Sequence, residues 1–155
     1  MIKVSLFFLT SLFLFCSLPL SAETELAETE LADTNNKPVD KRINLHLTEI
    51  EREDFLREMR QMLTSIQGII SGIAEEDIEK IIKSARYSGN RMARATPTSI
   101  KEKIPQAFKE IGAPTHMMFE EMVIRAETDD MQTLTEFTGQ IMQKCLSCHA
   151  IFKVN

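Results

Sequence analysis

The chain has 155 residues, a length that suits a single folded domain. Its net charge is −5, from 18 basic and 23 acidic residues. Six of the acidic residues fall within residues 23–40, so the rest of the chain is close to neutral. This balance lacks the basic surface of a nucleic-acid-binding protein, and we expect no nucleic acid among its partners.

The first 22 residues have the layout of a secretory signal peptide. A short basic start, Met1-Ile2-Lys3, is followed by an almost wholly apolar stretch over residues 4–18 and then by Pro19. Ala22 suits the position before a cleavage site, so residues 1–22 predict export and a periplasmic location. The alternative is a retained membrane anchor, because the apolar stretch is nearly long enough to span a bilayer.

An acidic segment separates this leader from the region with helical patterning. Residues 23–40 contain six acidic residues against one basic residue, Lys37, and they have no aromatic residue. Such a composition cannot build a hydrophobic core, so we expect residues 23–44 to be a flexible linker. An acidic recognition tail is the alternative. Residues 45–155 are predicted to form the folded domain.

Helical periodicity begins at Thr48, which together with Glu51 matches a capping box. Apolar residues then recur at intervals of three and four positions. They are Leu56, Met59, Met62, Leu63, Ile66, Ile69, Ile70 and Ile73. This spacing predicts a long amphipathic helix that ends near Ala74.

A second helix is predicted to follow over residues 75–95. Its first turn is acidic and its later turns carry Arg86, Arg91 and Arg94, an order of charges that suits the helix dipole. Thr96-Pro97 should end it, because proline disfavours helical conformation in the residue before it.

The remaining patterning predicts a short helical piece and two more long helices. The short piece spans residues 98–113 and is closed by Gly112-Ala113-Pro114. Thr115 then caps the third long helix, and Asp129 or Asp130 caps the fourth. Because the sequence after residue 41 has no strand pattern, we predict an all-α domain, an antiparallel four-helix bundle.

The predicted fourth helix carries the run Cys145-Leu146-Ser147-Cys148-His149. Positions i, i+3 and i+4 of a helix share one face, so both thiols and the imidazole can reach one bound group. The spacing Cys-x-x-Cys-His is typical of covalent attachment of c-type haem. We therefore predict one haem c per chain, attached through Cys145 and Cys148, with His149 as the proximal iron ligand.

Three other interpretations of the two cysteines are weaker. A thioredoxin-like dithiol requires a strand before the motif, and the sequence predicts a helix there. A zinc site requires a fourth ligand, but His46 and His116 do not have metal-ligand spacing from the motif. A disulfide between Cys145 and Cys148 would close too short a loop to add much stability.

A haem-attachment motif at the C-terminal end of a four-helix domain resembles the class II c-type cytochromes, the cytochrome c prime family. The ending Cys145-Leu-Ser-Cys148-His149-Ala-Ile-Phe152-Lys153 is similar to that of the family, in which an aromatic and a basic residue follow the histidine. The resemblance covers residues 45–155. It implies a bundle whose first helix covers the distal face of the haem.

The resemblance leaves two kinds of iron site open. One branch of the family uses a methionine as the sixth ligand, and the matching stretch here implies Met59, with Met62 as the alternative. Such six-coordinate iron suits electron transfer. The other branch leaves the iron five-coordinate and able to bind nitric oxide or carbon monoxide. In that case both methionines would be packing residues.

Other residues are expected to have supporting roles around the haem. The wall of the pocket is expected to consist of Phe55, Ile66, Met122, Phe137 and Ile141. The candidates to neutralise the haem propionates, if they are not simply exposed cations, are Arg57, Arg60 and Lys153. His46 and His116 are expected at the surface, where polar histidines are common.

Together these features predict a periplasmic electron carrier rather than an enzyme. The sequence has no arrangement typical of nucleophilic catalysis and no phosphate-binding glycine loop. The expected partners are other redox proteins, without a small-molecule substrate, and the apolar breadth of residues 55–73 is compatible with a homodimer. The alternatives are a five-coordinate gas-binding cytochrome and a haem-bearing subunit of a larger oxidoreductase.

Overall fold

The computed structural model describes residues 39–155, which form one folded unit. The predicted signal peptide and residues 23–38 of the predicted linker lie outside the described residues. The described elements are, in chain order, β1 (Ile43–Asn44), α1 (Glu49–Ala74), α2 (Ile78–Tyr87), α3 (Asn90–Ala95), α4 (Thr98–Lys103), α5 (Gln106–Arg125), α6 (Met131–Ile151) and β2 (Phe152–Lys153). Helices make up most of this region, which confirms the all-α class. Within it, no helix has both the length and the hydrophobicity needed to cross a membrane.

α1 begins where the sequence predicts. Thr48 Oγ1 accepts a hydrogen bond from the backbone N–H of Glu51, and the Glu51 carboxylate accepts one from the N–H of Thr48. These two bonds complete the capping box. Among the apolar residues predicted for this helix, Met62, Ile66 and Ile69 are buried. Leu63 and Ile70 point to solvent and are 68% and 49% exposed.

The predicted second helix is two helices, α2 and α3, with a break at Ser88-Gly89. Glu120 on α5 accepts a hydrogen bond from the backbone N–H of Asn90 at 2.8 Å and so satisfies a free donor at the start of α3. A Cβ atom at position 89 would lie 2.2 Å from Glu120 Oε1, so glycine permits this close approach. The break therefore depends on a contact with α5. The local sequence pattern of residues 75–95 carries no information about that contact.

α5 runs through Gly112-Ala113-Pro114, where the sequence predicts a helix end. The prediction is wrong because the proline is on the exposed side of the helix. Pro114 has no backbone N–H to donate to the Glu110 carbonyl. Because Glu110 is exposed, its carbonyl can accept a hydrogen bond from water instead. Thr115 is not a cap either, because it is buried and its hydroxyl donates to the Ile111 carbonyl at 2.8 Å.

The helices enclose one main hydrophobic core. α1 packs against α2 and α6, and α5 packs against α2, α3 and α6. α1 and α2 run antiparallel, since Ser65 pairs with Ser88 while Gly72 lies against Ile81. Fully burying one large apolar side chain contributes about 1.5–3 kcal/mol. The largest such side chains in this core are Ile69, Ile81, Phe119, Met122, Leu134 and Ile141.

A second, smaller apolar cluster forms where the start of α1 meets the end of α6. Its buried members are Leu45, Phe55, Ile100, Phe108 and Phe152. Met59 of α1 packs against both this cluster and the main core, so it lies at the boundary between them.

A short parallel pairing ties the segment before α1 to the end of the chain. Ile43 of β1 lies opposite Phe152 of β2, and the Leu45 N–H donates to the Lys153 carbonyl at 3.0 Å. The predictions of no strand after residue 41 and of a linker extending to residue 44 are therefore wrong for these residues. Strands of two residues have no periodicity, so patterning does not detect them.

Candidate cofactor site

α6 carries the whole Cys-x-x-Cys-His motif. Asp130 caps the helix by accepting a hydrogen bond from a backbone N–H of the first turn at 2.8 Å, which confirms one of the two predicted starts. The helix continues to Ile151, so Cys145, Cys148 and His149 share one face, as the sequence predicts. Both cysteines are half-buried and His149 is exposed.

A cleft of about 270 Å³ lies between the first part of α1 and the end of α6. Met59 lines it together with Cys148 and His149. Cys145 precedes Cys148 by one helical turn and is outside the wall of the cleft. Met62, the alternative ligand, is buried in the main core and does not reach the cleft. The structure thus brings one of the two candidate methionines, Met59, to the same cleft as Cys148 and His149.

Three phenylalanines form the apolar wall of the cleft. The centroid of the Phe108 ring is 5.6 Å from that of Phe55 and 5.3 Å from that of Phe152, with the rings steeply inclined. Inclined aromatic pairs at this separation are favourable beyond the area they bury. The sequence predicts Phe55 for this wall, and it gives Phe152 as the aromatic residue that follows the motif. It assigns Phe108 to a short helix with no link to the motif, so its role at the site is missed.

The other four predicted wall residues lie elsewhere. They belong to the main core and are Ile66, Met122, Phe137 and Ile141. The prediction is wrong for them because helical periodicity identifies the buried face of a helix but not which of two apolar clusters that face joins.

Two cations line the cleft, Arg42 and Lys153, and both contact Asp40. Arg42 Nη2 is 2.8 Å and Lys153 Nζ 3.5 Å from Asp40 Oδ2. Hydrogen bonds from the side chain and backbone of Arg42 hold the pKa of Asp40 well below its usual range. Arg42 also donates to the His149 carbonyl at 3.4 Å. Arg42 and Lys153 together outweigh the charge of Asp40, so the cluster places positive charge beside the motif.

Among the three cations predicted to face the cofactor, only Lys153 lines the cleft. Arg57 is exposed and its guanidinium lies 2.6 Å from the Asp54 carboxylate, while Arg60 is exposed on the same helix. Sequence reasoning misses Arg42, since 107 positions separate it from His149 and the pairing of β1 with β2 brings them together.

Both thiols of the motif are free. Burial, with a smaller contribution from Cys145, raises the pKa of the Cys148 thiol to about 11. Burial also raises the pKa of the Cys145 thiol. A redox-active dithiol needs a lowered pKa, because the attacking species is the thiolate. The surroundings of this pair therefore argue against a thiol–disulfide exchange centre.

His116 is buried, and the prediction that it lies at the surface is wrong. Its side chain is inserted between Ser88 and Glu58, and the residue is only 8% exposed. The prediction treats His116 as part of the first turn of a helix, whereas α5 has already run for ten residues at that point. His46 is exposed, as expected.

Neither His46 nor His116 lines the cleft. Within residues 39–155, no three His, Cys, Asp or Glu side chains come together in the way that a metal ion would need. The zinc interpretation of the motif therefore has no ligand set in the described part of the chain.

No protein-family model, curated protein or solved structure matches this chain. The cleft itself offers an imidazole, a thioether, the Cys148 thiol and an aromatic wall with two cations, and the Cys145 thiol lies one helical turn before Cys148.

Proposed function

We propose that this chain is a periplasmic c-type cytochrome that carries electrons. Cys145 and Cys148 attach one haem c covalently, His149 is the proximal ligand of its iron, and Met59 is the distal ligand. One observation carries the proposal. Met59 lines the same cleft as Cys148 and His149, although it belongs to a different helix far earlier in the chain.

The residues of the cleft fit a haem. A porphyrin is a flat apolar group with two carboxylates on one edge, so its site needs apolar walls, nearby cations and ligands for the iron. The rings of Phe55, Phe108 and Phe152 supply the walls, and Arg42 and Lys153 supply the cations. Histidine with methionine is an axial ligand pair that c-type cytochromes use.

Bound haem would supply a one-electron couple at its iron. The residues of the chain set the surroundings of that couple. The aromatic walls would shield the haem from water, and a thioether ligand from Met59 would bias its reduction potential upward. Arg42 and Lys153 would neutralise the propionates, which would then compete with Asp40 for both cations.

The proposal includes a four-helix bundle built from α1, α2, α5 and α6. Its support is the pattern of packing, in which α1 contacts α2 and α6 while α5 also contacts α2 and α6. α3 and α4 would then form the longer connection between the second and third helices of the bundle.

Covalent attachment can be tested by producing the full chain in a bacterium that exports proteins and attaches haem c. The purified protein should have the mass of the chain plus one haem and should keep its colour after acid extraction. The double variant Cys145→Ala/Cys148→Ala should lose its haem on extraction. Leu146→Ala is the matched control, because Leu146 lies within the motif and is 62% exposed. A wild-type chain without added mass would contradict the proposal.

A second candidate function, a five-coordinate gas-binding haem protein, is favoured by one observation. Met59 is half-buried and packs against both apolar clusters. A methionine that only fills space makes the same contacts, and the sixth position of the iron would then be free for a gas. Adding carbon monoxide to the ferrous protein separates the two functions. A spectrum that shifts supports gas binding, and an unchanged low-spin spectrum supports the electron carrier.

The partners that this function requires are other redox proteins, which would approach the exposed side of the motif. His149 is exposed there, and Leu146, between the two cysteines, is 62% exposed. The proposal involves no small-molecule substrate and no catalytic reaction.

A further inference from the structure

A buried polar network centred on His116 joins α5 to α1 and to the break between α2 and α3. Nδ1 of His116 lies 2.7 Å from the Ser88 carbonyl oxygen, which can only accept a hydrogen bond, so this nitrogen carries a proton. Nε2 lies 3.5 Å from Glu58 Oε1, another group that only accepts when ionised. The ring therefore satisfies both neighbours when it is the imidazolium.

Glu58 is held from a second side as well. Its side chain is 15% exposed, and each of its carboxylate oxygens lies 3.3 Å from the hydroxyl of Thr96 at the end of α3. A carboxylate this far out of solvent needs such partners, because burying an unpaired charge is costly. Glu58 thus connects α1 to α5 through His116 and to α3 through Thr96.

The same network contacts α1 at a second point, two turns later. The Ser88 hydroxyl donates to the Ser65 hydroxyl at 2.7 Å, and both residues are almost fully buried. α1 is therefore fixed at Glu58 and at Ser65, positions seven residues apart on one face of the helix. Met59 follows Glu58 directly, within this fixed span.

We propose that His116 is a positioning residue for Met59. Through its contacts with Glu58 and the Ser88 carbonyl, it holds the turn of α1 that carries Met59 and so keeps the thioether at the cleft. Groups behind the ligands of a metal commonly fix those ligands in this way, and small displacements of a ligand weaken its bond. The inference rests on the proposed function, because it requires Met59 to be an iron ligand.

The test compares the haem-loaded wild type with His116→Phe, which keeps a planar ring and removes both polar contacts. Well below the melting temperature, we expect the variant to lose its methionine-to-iron charge-transfer band and to bind carbon monoxide. Independently of the haem signals, amide hydrogen exchange over residues 58–65 should be about tenfold faster, with the motif residues of α6 unchanged.

His46→Asn is the matched control, because His46 is exposed and has a positive φ of 51°, which asparagine tolerates. It should change neither readout. Glu58→Gln is a milder variant in case His116→Phe does not fold, and it should weaken the same band. The double variant should be no worse than His116→Phe alone, since the two residues act through one contact.

The outcomes separate this inference from the proposed function. A wild type that has no methionine-to-iron band refutes ligation by Met59 and with it the role of His116. A wild type with the band, combined with variants at His116 and Glu58 that keep the band and the exchange rates, overturns the positioning role alone.

Discussion

At the scale of single residues, the two candidate methionines of α1 have different environments. Met59 is half-buried at the cleft, and Met62 is 8% exposed within the main core. Leucine replaces either thioether at nearly constant volume, a change that costs less than about 1.5 kcal/mol in a core. We expect Met59→Leu to abolish the methionine-to-iron band and admit carbon monoxide, and Met62→Leu to do neither. Absorption spectra measure both effects, and the reverse pattern would assign the ligand to Met62.

The residues of the site could be predicted where their relationship is local. Cys145, Cys148 and His149 are brought together by helical spacing alone, so the motif is sufficient to group them. Arg42 reaches the site because β1 pairs with β2. Strands of two residues leave no pattern in the sequence, so this approach could not be predicted. His116 is missed because its burial depends on where α5 starts, and α5 starts at Gln106 rather than after Thr115.

At the scale of the elements, the starts of α1 and α6, which their own residues fix, agree with the sequence prediction. Thr48 starts α1 and Asp130 starts α6 through side-chain hydrogen bonds within the first turn. Ends decided by other helices were not predicted. The break after α2 depends on Glu120, and the continuity of α5 through Pro114 depends on which side of the helix faces solvent.

The contact between Gly89 and Glu120 makes that break testable. An alanine Cβ at position 89 would lie 2.2 Å from Glu120 Oε1, so the carboxylate would have to move and the Asn90 N–H would lose its partner. We expect Gly89→Ala to lower the free energy of unfolding by about 1–3 kcal/mol in urea titrations. In Gly139→Ala the new Cβ meets no atom within 4 Å.

This second variant is the matched control, because Gly139 is an exposed position within α6. Because alanine is the better helix former, it should raise the free energy of unfolding by about 0.5–1 kcal/mol. Equal effects of the two substitutions would contradict the role assigned to Glu120.

At the scale of the whole molecule, Glu51 and His116 make the stability of the fold depend on pH in opposite directions. A hydrogen bond from Lys103, with others from Thr48, lowers the pKa of Glu51 to about 2. The pKa of His116 moves the other way. Burial lowers it, but the contacts with Glu58 and the Ser88 carbonyl outweigh burial and raise it overall. The fold therefore favours an ionised Glu51 and a protonated His116.

From these shifts we expect the fold to be most stable in mildly acidic solution. The contribution of Glu51 is present above its unfolded pKa of about 4.3 and is lost as the pH falls through that value toward its folded pKa. The contribution of His116 is complete below its unfolded pKa of about 6.5 and is lost as the pH rises through its folded pKa.

We expect the melting temperature, followed by circular dichroism, to be highest between about pH 5 and 6.5. His116→Phe should flatten the decline on the alkaline side, and Glu51→Gln the decline on the acidic side. A wild-type melting temperature that keeps rising from neutral to alkaline pH would show that His116 does not stabilise the fold as its charged form.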